Sequence, residues 1–254
     1  MIKIKRLIKW TSFICILCGG CLIFFYQNKQ SEVDSSEVNA ADQAEIVLAD
    51  KESTETQLID VPIENQNTGS VPLENGCEIT ALSMLLNYYD YDTNKNDLAE
   101  LLNYVPVYEN EPEGIRGNPH DGFVGNIYEG YDAMGVAVEP IAKVAEEVVQ
   151  EGQKVVASSD TSFSELADLV QAGTPVWVIT TVNYEIPTNS DYMIWETTSG
   201  EVTVSPLCHA VVITGVDDEN VYVNDPYGYK NRIVKRSDFE KTYKKMGSQS
   251  LYLA

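Results

Sequence analysis

The chain has 254 residues, enough for one domain of ordinary size with an anchor, or for two small domains. Its 44% hydrophobic and 9% aromatic content supports a real core, while 39 acidic residues against 17 basic ones give a net charge of -22. Lys3, Lys5, Arg6 and Lys9 all precede position 27, with no acid among them, so the rest of the chain is more acidic still. Such a surface repels phosphate backbones and excludes nucleic acid as an expected partner.

Residues 1–26 form a basic tip and an apolar run from about Leu7 to Tyr26, interrupted by Lys9 and small polar residues. The uncharged part from Trp10 to Tyr26 is at the lower limit for crossing a bilayer core. The flanking positive charge stays in the cytoplasm, so the remainder is expected outside the membrane, held by an uncleaved anchor. Removal as a signal segment, which would release a secreted protein, is the alternative. No Ala-x-Ala site follows the apolar run directly, Val38-Asn-Ala-Ala being a late one, and Cys21 after Gly19-Gly20 is a possible lipid site. Residues 27–57 are rich in Ser, Glu, Asp, Gln and Ala, a composition that cannot offset its own ordering entropy and reads as a disordered acidic stalk.

The folded domain is expected over 58–254. "LIDVPI" reads as a short strand, and Cys77 to Tyr89 carries Ile79, Leu82, Leu85, Leu86 and Tyr89 at the spacing of an apolar helical face. Asp97 to Tyr104 reads as a shorter helix. A loop with Pro106, Pro112, Gly114, Gly117 and Pro119 follows, and Gly122 to Met134 reads as a broken helix. Ser162-Phe-Ser-Glu165 has capping-box spacing and opens a helix ending at Gly173. Pro175 to Val182, "HAVVITGVD" and "NVYVNDP" read as strands, the last two joined by a turn at 217–220. Ser237 to Met246 reads as a helix and Leu251 to Ala254 as a final strand. Helices first and strands last predict an α+β domain whose N-terminal helical part packs on an antiparallel sheet.

Of five cysteines, Cys15, Cys18 and Cys21 lie in the apolar run, leaving Cys77 and Cys208 in the domain. That is too few for a disulfide scaffold, although one Cys77–Cys208 bridge is possible in principle. Two histidines and two distant domain cysteines offer no zinc-ligand spacing, and no Gly-rich phosphate loop occurs, so neither a metal nor a cofactor is expected. Cys77 opens a helix, where the dipole and free amides favour a thiolate, though a small buried core residue would look the same. His209 stands at the mouth of an apolar strand, as a rigidly held base would. Asp225 ends the next strand, where an antiparallel turn brings a carboxylate to the imidazole and fixes its tautomer. His120, in the loop "NPHDGF", is the alternative base, with a substrate-lining or loop-pinning role preferred for it. Cys208 is expected to face away from a cleft that His209 faces. Glu78 reads as compensation of the helix dipole.

"NGCEITALSMLLNYY", "GNPHDGFVGNIYEGY", "HAVVITGVD" and "VYVNDPYGY" resemble, in order, the signature blocks of a bacterial family of papain-like cysteine peptidases related to the double-glycine bacteriocin leader peptidases. The resemblance spans about Leu58 to Ala254. It implies a papain-like fold, nucleophile Cys77, base His209, orienting Asp225, and an oxyanion-hole glutamine at Gln66, eleven residues before the nucleophile. The expected function is hydrolysis of peptide or amide bonds in a peptide or protein substrate outside the cell. A transpeptidase or amidase acting on cell-wall peptides with the same residues, or a non-catalytic surface binding module, are the competing readings. Oligomeric state is not legible in the sequence.

Overall fold

The computed structural model describes residues 56–254. The expected anchor, and the stalk up to residue 55, lie outside the described residues. Among the described residues no helix is long and apolar enough to cross a membrane.

Two helices open the domain, α1 (Cys77–Tyr88) and α2 (Lys95–Leu101). Five short strands follow: β1 (Tyr104–Val105), β2 (Tyr108–Asn110), β3 (Ile115–Arg116), β4 (Phe123–Gly125) and β5 (Ala133–Gly135). Next come α3 (Val138–Val148), β6 (Val155–Ser158), α4 (Phe163–Gln171) and β7 (Val176–Thr181). After two 3-10 turns the chain makes β8 (Met193–Thr197), β9 (Gly200–Val204), β10 (Cys208–Val216), β11 (Asn220–Asp225) and β12 (Tyr229–Lys235). Helix α5 (Arg236–Lys245) and β13 (Ser250–Leu253) close it.

The main sheet has six strands in the order β12-β11-β10-β7-β13-β6, all antiparallel. Its central strands are β-branched and wholly buried: every residue of β7 and all of β10 after Cys208. Helix α1 packs on β10 and β7 and is covered by α2 and α3. That explains why its first ten residues are buried all round, which an amphipathic surface helix would not be. Leu82, Leu85 and Leu86 are fully buried, each worth about 2 kcal/mol of apolar transfer. Smaller sheets, β1-β4-β5 and β2-β3-β8-β9, flank this core. The architecture is α+β, with a cysteine at a helix start packed on an antiparallel sheet.

Asn94 caps α2 by accepting from the amides of Asn96 and Asp97, so this helix starts earlier than its apolar residues suggest and stops before Tyr104. The capping box at Ser162 and Glu165 forms as expected, and Gly173 (φ +94°) ends that segment. Two expectations fail. Residues 58–63 dock on β10 without forming a strand. The Ile59 amide donates to the Thr214 carbonyl, but the Val61 amide turns back to the Ile59 carbonyl and Pro62 has no N–H to extend a ladder. Residues 122–134 are not helical. Gly125 and Gly130 take left-handed φ values of +92° and +82°, and a Cβ at Gly125 would lie 2.0 Å from the Asp132 carbonyl oxygen. The segment instead contributes β4 and the start of β5, with Phe123 and Val124 fully buried.

Candidate active site

Helix α1 begins at Cys77 because Gly76 allows a tight entry: a Cβ there would sit 2.5 Å from Leu73 Cβ. As the first helical residue, Cys77 has a backbone N–H with no intrahelical acceptor. Across from this end lies the start of β10, which carries His209, and beside β10 the end of β11, which carries Asp225. A cleft of about 230 Å³ is lined by Gln66, Cys77, Glu78, Cys208, His209 and Tyr227, among others. Asp225 is fully buried behind the imidazole.

His209 Nε2 donates to Asp225 Oδ1 at 2.9 Å, with both side chains 1% exposed. This bond assigns the hydrogen to Nε2 and leaves Nδ1 with its lone pair, buried and without a hydrogen-bond partner among the described residues. Tyr227 stacks on the ring, centroids 4.9 Å apart and planes 17° from parallel. Asp225 is held on every side. Its Oδ1 also accepts from the Tyr227 amide, and its Oδ2 accepts from the Tyr184 hydroxyl at 2.8 Å and from Arg232 Nη1 at 2.9 Å. Burial would raise this carboxyl, but its bond to His209, the imidazole's charge, the Tyr227 amide and the Tyr184 hydroxyl outweigh it and hold the carboxyl at about 2. Tyr184 reaches this place from a strained backbone, since Asn183 and Tyr184 both sit at φ +59°, a conformation costly for a bulky side chain.

The thiol side differs. Cys77 Sγ donates to Glu78 Oε2 at 3.2 Å, and no hydrogen bond joins it to the imidazole. Glu78 is 1% exposed. Its Oε1 accepts from the Val136 amide at 3.1 Å and lies 4.0 Å from Cys208 Sγ. Gly135 (φ +83°) makes room for it, because a Cβ there would approach Oε1 to 2.3 Å. Burial raises the Glu78 carboxyl, against the pull of its own amide, Cys77, the Val136 amide and His209. Burial, then Glu78 and Cys208, push the Cys77 thiol well above its ordinary range, and the Ala210 amide opposes them only in part. Burial of the thiol therefore works against the lowering expected at a helix start. Glu78, read from sequence as a dipole partner, is a buried floor of the cleft.

Gln66 is 1% exposed and lines the same cleft. Its Nε2 donates to the Glu74 carbonyl at 2.7 Å, which leaves the second amide hydrogen unused, while Oε1 has no partner among the described residues. The fully buried Lys95 anchors the loop before α1 through the Thr68 carbonyl at 2.6 Å and an ion pair with Glu64 at 3.9 Å.

His120 does not line this cleft. It is exposed, pairs with Glu139 at 2.9 Å, and lines a neighbouring hollow. Cys208 lines the cleft, contrary to expectation. It is the first residue of β10, and the cleft passes the open end of that strand, where it meets side chains of both faces. Cys77 and Cys208 are free thiols. Among the described residues no group of three or more His, Cys, Asp or Glu could hold a metal ion. Tyr184, Tyr227 and Arg232 were not legible as site residues one by one. The hairpin "NDPYGYKNR" nevertheless carried a signal, since its turn sets Tyr229 opposite Asp225 and Arg232 opposite Val223.

A cysteine-bearing helix start facing an antiparallel sheet, with a histidine and an acid on adjacent strands, is the arrangement of the papain-like class. The chain belongs to the Peptidase_C39 like family, whose model matches residues 58–251. It is similar to the uncharacterized protein YvpB of Bacillus subtilis (strain 168), with 42% identity over 77% of this chain and 75% of that protein. It also resembles the crystal structure of a candidate C39-like peptidase from Bacillus anthracis, with 33% identity, a TM-score of 0.72, and coverage of 79% of this chain and 98% of that one.

Proposed function

We propose that this protein is an extracytoplasmic cysteine peptidase that hydrolyses peptide or amide bonds, with Cys77 as nucleophile, His209 as base, Asp225 as its orienting acid and Gln66 as an oxyanion donor. The observation that carries the reading is the imidazole: Nε2 is bonded to a buried carboxylate, and Nδ1 is left unpartnered on a ring that lines the same cleft as Cys77. His209 takes the Cys77 proton on Nδ1, and the sulfur attacks the carbonyl carbon. The carbonyl oxygen gains negative charge, stabilised by the free Gln66 N–H and the Cys77 amide. His209 returns the proton to the leaving amine, the C–N bond breaks and an acyl-enzyme remains. Water then adds, giving a proton to His209, and the C–S bond breaks to release the acid and restore the thiol. The outward location rests on the basic tip and apolar run at 1–26.

The test is a digest of a mixed peptide library by the purified full-length protein and its Cys77→Ala variant. Cleavage that falls at least ~10³-fold in the variant is expected. Equal cleavage by both, or none by either, contradicts the proposal. Adding a peptide amine to the digest reads whether water or an amine resolves the acyl-enzyme, which separates a hydrolase from a transpeptidase.

A further inference from the structure

A second hollow of about 240 Å³ adjoins the cleft and shares Met134, Ser205 and Cys208 with it. Nothing in the chemistry above uses it. Its floor is apolar, formed by Val136, Ile179 and Val204, all buried, with Met246 partly buried. Three polar groups along it are hydrogen-bonded inside the protein. The Tyr192 hydroxyl donates to the Lys245 carbonyl at 2.9 Å, Gln249 Oε1 accepts from the Val138 amide at 2.8 Å, and Ser205 Oγ accepts from the Leu207 amide. A polar side chain placed against Val136, Ile179 and Val204 would lose its water and gain no partner from their side chains, whereas an apolar one loses nothing. The rim is polar: His120, held by Glu139, and the exposed Lys245 stand at the mouth with Ser159 and Thr203. An apolar cavity of ~150 Å³ accepts a benzene molecule, so this one has room for a leucine or phenylalanine side chain.

Building on the proposed function, we propose that this hollow is the specificity pocket of the peptidase. It takes one branched aliphatic or aromatic side chain of the substrate, at a fixed position close to the cleaved bond. The shared wall places the two hollows side by side. Met134, Ser205 and Cys208 border both hollows, so a chain laid across Cys77 passes the pocket mouth within a residue or two of the reacting carbonyl. His120 thereby becomes a rim residue of the substrate site. The substrate class is peptides with a large apolar residue near the scissile bond, in contrast to cleavage after two glycines.

The experiment compares kcat/KM of the full-length protein on peptides that differ only at each position flanking the cut, carrying Gly, Asp, Leu or Phe. At one position Leu or Phe is expected to exceed Gly and Asp by ~10-fold or more, the range that apolar pockets deliver. Thr203→Trp and Ser159→Trp, both at exposed rim sites, narrow the mouth and are expected to reduce that Leu-to-Gly ratio several-fold, with thermal melts confirming that each variant folds. Cys77-dependent cleavage with no apolar preference at any position overturns the pocket assignment alone. So does a preference that both tryptophan variants leave unchanged. Absence of any Cys77-dependent cleavage overturns the proposed function, and the pocket assignment with it.

Discussion

The two halves of the cleft are built on opposite principles. On the imidazole side every group is fixed: Asp225 accepts from His209, Tyr184, Arg232 and the Tyr227 amide, and Arg232 is itself held over the rings of Tyr184 at 4.8 Å and Tyr229 at 5.2 Å. On the thiol side Cys77 has one side-chain partner, the buried Glu78, and burial opposes loss of its proton. Orientation is stored in the sheet, and in the proposed chemistry the thiol at the helix start relies on the imidazole to draw its proton away. Strand pairing explains the asymmetry. Two adjacent antiparallel strands fix side chains to fractions of an ångström, whereas Cys77, the proposed nucleophile, depends on one helix terminus and a loop tied down by Lys95.

Breaking the fixed half has the largest expected effect. Asp225→Asn removes the charge that orients and stabilises the imidazolium and leaves Arg232 facing a neutral group. Its kcat/KM on a library-derived peptide is expected to fall on the order of 10²- to 10⁴-fold. Retained activity would mean that the imidazole needs no such partner. Gln66→Ala comes next. Loss of one oxyanion donor is expected to lower kcat by about 10²-fold with little change in KM, measured on the same peptide. An effect confined to KM would instead make Gln66 a binding residue.

Acid titration sharpens the contrast through stability. Asp225 is held at about 2 in the folded state against an ordinary 3.8, so the folded form binds fewer protons there than the unfolded one. Its contribution is complete above the unfolded value and is lost as pH falls through the folded one. Thermal melts from pH 5 to pH 2 should therefore show wild type losing its advantage over Asp225→Asn across that window, and parallel curves would refute the linkage. The smallest effect is expected on the thiol side. Glu78→Gln removes a group that helps keep Cys77 protonated, so alkylation of Cys77 is expected to begin at lower pH than in wild type. An upward-shifted onset would show that Glu78 stabilises the thiolate instead, and an unchanged one that it does not govern the Cys77 proton.

The sequence showed the main chain of this site more clearly than its surroundings. Cys77 at a helix start, and His209 and Asp225 on neighbouring strands, follow from apolar periodicity and a short turn, both local signals. The six-stranded sheet was visible only in its later strands. Helix α3 carries Val138, Ile141, Val144 and Ala145 on one buried face, a readable helical pattern that the surrounding glycines and prolines obscured. What stayed hidden was non-local. Glu78 lies in the cleft because Gly135, far along the chain, leaves space for its carboxyl. Tyr184 reaches Asp225 through two positive-φ residues that no propensity scale foresees. Residues 122–134 misled because buried Phe123 and Val124 sit among apolar residues at near-helical spacing, whereas the glycines set the backbone.

Proton sharing between Cys77 and His209 is tested most directly by peptide-mapped alkylation of Cys77 across pH 4 to 10, in the full-length protein and in His209→Ala. Wild type should label Cys77 in the neutral range, where a buried thiol lacking a base stays inert, and His209→Ala should label it only at strongly alkaline pH. Superimposable profiles would mean that the imidazole never receives the thiol's proton, and the cleft would then hold no cysteine peptidase chemistry.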